Sequence, residues 1–221
     1  MYPVCLDIAE RLCVVIGGGQ VAERKVRGLL ISAGVVRVVS PEVTRGLLSL
    51  IENRAVEWRQ KKYHPSDLEG AFLVFAATNL STVQAAVHRD ARAAGLLINV
   101  ANAPQLCTFQ VPATIRRGDL TVSVATNGKS PAVAAMVRKR LEREFGEEWA
   151  LLTRLAFLLR EQMLAEEDRN MEVKNLFQKI LHDDIVDWLR ERQWANIQQH
   201  LESVLGRPVD RELEILIKEN P

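Results

Sequence analysis

The stretch Leu12-Cys-Val-Val-Ile16-Gly17-Gly18-Gly19-Gln20-Val21-Ala22 decides the fold. Leu12 to Ile16 is a short apolar run bounded by polar residues and glycine, the pattern of a strand buried on both faces. From Val21 to Ile31 the apolar residues fall at helical spacing (Val21, Val26, Leu29, Leu30), with Arg24, Lys25 and Arg27 on the other side. Between strand and helix, Gly17 to Ala22 reads G-x-G-x-x-A, a dinucleotide-binding fingerprint. Gly17 permits the tight turn. Gly19 lets the backbone approach a pyrophosphate, and the helix N-terminus at Gln20 and Val21 turns unpaired N–H groups toward it. A glycine-rich turn that serves packing alone is the competing reading, and the strand–turn–helix context favours the ligand.

Outward from this unit the same alternation continues. Val35 to Val39 is a second β-branched run, and Val43 to Ile51 reads as a helix. Strands follow at Val56 to Arg59, Ala71 to Ala77 and Leu96 to Val100, with a helix from Thr82 to Ala94 between the last two. Repetition of this kind predicts an α/β fold, a Rossmann-like doubly wound parallel sheet, over residues 1–112. At the end of the second strand stand Ser40, Pro41 and Glu42, where such folds hold the ribose. A carboxylate there accepts from a 2′-hydroxyl and repels a 2′-phosphate, so NAD is favoured over NADP. Arg45 nearby would suit a phosphate, and Glu42 would also suit the first turn of a helix. Thr78 and Asn79 after the fourth strand, and Asn99 and Asn102 at the fifth, add polar groups to the same carboxyl edge.

After Pro112 the rhythm changes. Ala113 to Arg117 and Leu120 to Ala125 flank a Gly118-Asp119 turn, the signature of a hairpin. The loop Thr126-Asn127-Gly128-Lys129 follows, and Ser130-Pro131 caps and opens a helix to about Phe145. This hairpin and helix form a small α+β region, 113–145, with little of its own to bury against. Pairing across a two-fold axis is the economical solution, so a homodimer is expected. Residues 146–221 read as a helical domain, with helices at Trp149–Glu167, Glu172–Leu181, Ile185–Arg192, Trp194–Leu205 and Arg211–Lys218.

Composition sets the outer limits. The chain has 221 residues, 48% hydrophobic and 26% charged, which suits a soluble globule and excludes disorder. No apolar run approaches membrane-spanning length, and the N-terminus lacks a signal-peptide layout, so a cytoplasmic address is the expectation. Cys5, Cys13 and Cys107 form no C-x-x-C, and the four histidines are scattered, so no resident metal is expected. The net charge of +1 hides an asymmetry. Residues 1–145 carry 19 Lys and Arg against 12 Asp and Glu; residues 146–221 carry 10 against 16. A basic body suggests an anionic ligand, although a solvated surface would look the same. Nucleic acid is not expected, because the basic residues lack interleaved aromatics.

Four blocks together resemble a known family: Gly17-Gly-Gly-Gln-Val-Ala-Glu-Arg-Lys25, Ala76-Ala-Thr-Asn79, Asn99-Val-Ala-Asn-Ala-Pro104 and Ser130-Pro131. In order and spacing they are similar to precorrin-2 dehydrogenases of the siroheme-synthase type, over about Tyr2 to Phe145. The resemblance implies oxidation of precorrin-2 to sirohydrochlorin with NAD⁺ and, in bifunctional members, insertion of ferrous iron as a further substrate. It implies a central dimerisation region and a cleft for the tetrapyrrole near Arg117 and the loop Thr126, Asn127, Gly128, Lys129 and Ser130. Eight carboxylates on that substrate fit the basic body. One position departs. The family usually carries an aspartate, implicated as acid and base, where this chain has Asn102. An amide accepts no proton at neutral pH, so dehydrogenation survives the change better than metal insertion does. A weakened NAD- or tetrapyrrole-binding sensor is the alternative reading.

Overall fold

The computed structural model describes residues 1–165, 177–209, 214, 216 and 217. The chain parts at Val111/Pro112 into two compact units.

The first unit is built on a parallel five-stranded sheet: β1 (Leu12–Ile16), β2 (Val35–Val39), β3 (Glu57–Arg59), β4 (Leu73–Ala76) and β5 (Leu97–Val100), in the order β3-β2-β1-β4-β5. Helices α1 (Gln20–Ile31), α2 (Arg45–Glu52) and α3 (Ser81–Ala93) connect these strands. The pleat of β1 explains why both faces are covered. Cys13 and Val15 join Val26, Leu29 and Leu47 on the α1–α2 side, whereas Val14 and Ile16 join Val87, Ala91 and Ile98 on the α3 side. Val14, Val15, Val26 and Val87 have no exposed surface. Burial also pushes the Cys13 thiol up to about 11, so it packs as a small apolar group.

Helix α2 starts two residues after the expected Val43. Thr44 is its N-cap and accepts from the Leu47 amide, which leaves Val43 in the preceding turn. Glu42 therefore lies outside the first turn of α2. Val56, Ala71 and Phe72 fall outside the ladders that the apolar runs suggested.

In the second unit β6 (Ala113–Arg117) and β7 (Leu120–Val124) pair antiparallel, Arg117 opposite Leu120 across the two-residue turn. Helix α4 (Pro131–Glu144) follows, capped by Ser130. Then come α5 (Glu148–Ala165), α6 (Asp183–Arg190) and α7 (Trp194–Leu205). Leu155, Leu159, Ile185, Leu189, Ile197 and Leu201 form their common core. Arg190 ties α6 to the buried Glu148 at 3.0 Å. The expected helices at Glu172–Leu181 and Arg211–Lys218, and the end of Trp149–Glu167, lie partly outside the described residues. Among the described residues no helix is long and apolar enough to cross a membrane. The histidines are not all scattered: His182 and His200 meet between α6 and α7.

Candidate functional site

Every strand of the first unit runs the same way, so the residues after β1, β2, β4 and β5 share one edge. The order reverses between β1 and β4, and ligands of open α/β sheets bind in the crevice at that point.

The glycine turn after β1 is shaped for a close approach. Gly17 has φ +124°, and a Cβ there would overlap the Ala77 carbonyl. A Cβ on Gly18 would overlap the Glu42 carbonyl. Gly19 differs: a Cβ there meets nothing within 4 Å. The chain packs against the first two glycines, and the space over the third stays open before the N-terminus of α1. Gly19 caps that helix without a side-chain hydrogen bond, so Gln20 and Val21 present the terminal amides. The cradle fits a pyrophosphate.

At the end of β2 the Ser40 hydroxyl donates to the Glu42 carbonyl at 2.7 Å, and Trp58 Nε1 donates to the Ser40 carbonyl at 3.0 Å. These bonds fold the Ser40-Pro41-Glu42 turn back toward Gly18 and leave the Glu42 carboxylate exposed. Arg45 begins α2 beside it, also exposed.

Gln84, which sequence reasoning passed over, joins the other two strand ends. Its amide donates to the Thr78 carbonyl at 2.7 Å and the Ala101 carbonyl at 3.3 Å. Its only sequence signal is a polar residue in the first turn of α3. The Thr78 hydroxyl accepts from the Leu80 amide, and Asn79 is exposed. Asn99 donates to the Phe109 carbonyl at 3.1 Å, so its amide braces the strand end. Asn102 is exposed with φ +60°, the left-handed conformation that asparagine tolerates best after glycine.

Lys25 was part of the quoted motif without a role. Its Nζ lies 5.6 Å from the centre of the Phe75 ring, which meets Phe109 edge-on at 5.3 Å. Burial and the neighbouring Arg24 hold its ammonium below the usual lysine range. Cys107, whose Sγ accepts from the Val100 amide, pulls weakly the other way. His64 caps the 3₁₀ turn Pro65–Leu68 and accepts from the Ser66 amide.

In the second unit the loop before α4 closes on itself. The Thr126 hydroxyl accepts from the Ser130 amide at 3.2 Å and donates to the Ser130 carbonyl at 3.0 Å, while Ser130 Oγ accepts from the Val133 amide. Asn127 and Gly128 take positive φ and, with Lys129, stand exposed. Arg117 points its guanidinium at the Glu142 carbonyl and pairs with Glu147 at 3.4 Å. Arg138 pairs with Glu142 along α4.

This geometry defines a Rossmann-type dinucleotide-binding protein. Residues 4–113 match the family model of putative NAD(P)-binding domains, and residues 117–144 match that of the central region of sirohaem biosynthesis proteins. The siroheme synthase of Methylobacillus flagellatus is 32% identical over 203 residues, covering 90% of this chain and 44% of the relative. That of Methylococcus capsulatus is 38% identical over 162 residues, covering 73% and 34%. The chain thus spans less than half the length of these relatives. A solved structure, "SirC, precorrin-2 dehydrogenase", superposes with a TM-score of 0.78 at 24% identity, covering 93% of this chain and all of that one, and shares the fold. In its NAD(P)-binding and central parts the chain is similar to the sirohaem biosynthesis proteins. The open space over Gly19 fits a nicotinamide dinucleotide of the NAD(P) class.

Proposed function

We propose that this chain oxidises precorrin-2 to sirohydrochlorin in siroheme biosynthesis, acting as a cytoplasmic homodimer. The observation that carries the reading is the open space over Gly19 at the reversal of the sheet, followed in the same chain by the sirohaem central region. When bound, NAD⁺ supplies the hydride acceptor; the protein supplies position and charge. Gly17 to Val21 would hold the pyrophosphate, Glu42 the ribose hydroxyls, and Thr78, Asn79 and Asn99 the edge toward the nicotinamide. Lys129 and the exposed loop beside it offer cationic and amide contacts to a polycarboxylate macrocycle, which Thr126 and Ser130 support by fixing the loop.

Oxidation removes a hydride and a proton from the substrate. Asn102 cannot accept that proton, so its part is to hydrogen-bond the macrocycle or a water beside it. Insertion of ferrous iron must strip two pyrrole protons, for which the Asn102 amide provides no base. A sensor without turnover is less supported, since both relatives are synthases. An absorbance time course with purified chain, precorrin-2 and NAD⁺ tests this. NADH and sirohydrochlorin should appear together; binding of both ligands without either product would overturn it.

A further inference from the structure

His182 is the N-cap residue of α6, and His200 lies on α7. Their Nε2 atoms are 3.1 Å apart, the ring planes are perpendicular, and the ring centres are 4.6 Å apart. Trp188 stands 5.6 Å from each ring. On the far side of His182, Nδ1 lies 3.6 Å from the Asp184 carboxylate.

The ring separation bears on what joins these nitrogens. Each nitrogen sits about 1.1 Å from its ring centre, so an in-line N–H···N bond of this length would put the centres about 5.3 Å apart. The observed separation is shorter, so the two ring axes are not collinear. Two lone pairs aimed at a point about 2.1 Å from each nitrogen, close to a right angle, would place the centres about 4.7 Å apart. The observed 4.6 Å separation agrees with that arrangement, as it does with a bent N–H···N bond.

We propose that His182 and His200 form a two-imidazole site for a divalent first-row transition cation. Asp184 holds His182 in place, as carboxylates behind metal-bound imidazoles commonly do. Imidazole nitrogen selects such cations over magnesium or calcium, which require oxygen. Among the described residues no group of three or more His, Cys, Asp or Glu is placed to hold a metal, so water completes the coordination. With His182 32% exposed, water has access, and the site is open and exchangeable. The site does not depend on the redox reading.

The test uses the full chain without a polyhistidine tag, titrated with Ni²⁺ alone and followed by tryptophan fluorescence and calorimetry. Saturable binding of one cation per chain, well below millimolar, with quenching of Trp188 and no response to Mg²⁺, is the expected result. His182→Gln and His200→Gln should each weaken binding at least tenfold, and Asp184→Asn severalfold. Trp188→Phe should lose the quench while calorimetry still reports binding. Should the histidine variants fold poorly, proton NMR of the unaltered chain decides: Co²⁺ should shift the ring protons of His182 and His200 before those of His64 and His88. Equal binding by the doubly substituted chain, no saturable binding by the folded native chain, or first shifts at His64 or His88 would overturn the proposal and leave a hydrogen-bonded pair.

Discussion

Thr44 donates its hydroxyl proton to the Glu23 carboxylate at 2.6 Å, while the same oxygen accepts the Leu47 amide at 3.2 Å. One side chain thus caps α2 and pins it to α1. Arg27 pairs with the same carboxylate at 2.7 Å, and a Cβ on Gly46 would collide with it. The Thr44 hydroxyl first, then Arg27, holds the Glu23 carboxyl below its ordinary range. A carboxyl depressed in the folded state adds stability above its unfolded value, and that stability is lost as pH falls through the folded value. Glu23→Gln should therefore lower the melting temperature at neutral pH and flatten its decline on acidification. Thr44→Ala should cost about 1 kcal/mol through the lost cap alone, and Thr44→Ser should restore it. Thermal melts from neutral pH to about pH 3 check all three.

Gly18 and Gly19 are adjacent and should fail differently. Gly19→Val puts side-chain bulk into the open space before α1, so NAD⁺ binding should vanish while the circular dichroism spectrum and melting temperature stay near native. Gly18→Val must displace the Glu42 carbonyl, so stability should fall with binding. Calorimetry alongside thermal melts separates the two. Equal destabilisation would mean that the space over Gly19 is not open, and unimpaired NAD⁺ binding by Gly19→Val would mean that the ligand sits elsewhere.

Some of this was legible in the sequence and some was not, for a physical reason. Strand β1 and the turn after it are local: the apolar run and the glycines lie within eleven residues, and periodicity reports such features directly. Pairings between elements leave no period. Glu23 and Thr44 are 21 positions apart, and His182 and His200 are 18 apart, so their meeting depends on how helices cross. Gln84 is likewise an ordinary polar residue until the ends of β4 and β5 come within its reach. The motif was readable, whereas the groups that brace it were not.

Cofactor choice should follow Glu42. Its carboxylate is exposed at the end of β2, after the Ser40–Glu42 turn, a place where a carboxylate would accept from a ribose diol and repel a 2′-phosphate. NAD⁺ should bind at least severalfold more tightly than NADP⁺, and Glu42→Ala should narrow the gap. The reverse order in a titration would assign Arg45 to the phosphate instead.

Asn102 is where the chain departs from the family it resembles, and the backbone there allows a clean test. With φ +60° and an exposed side chain, the position accepts aspartate with little added strain, so Asn102→Asp should fold normally. A restored carboxylate can take a proton, and a positioned base contributes about 10²–10⁴-fold where proton removal limits the rate. Iron insertion must strip two pyrrole protons, so it should gain more than dehydrogenation, in which hydride transfer dominates. The opposing effect is a new negative charge beside a polyanionic substrate, which would raise KM without raising kcat. Measuring both activities, with kcat and KM resolved, in the native chain and in Asn102→Asp separates these effects. A rise in kcat for iron insertion supports the base, whereas an unchanged kcat for both reactions would move the proton chemistry away from residue 102.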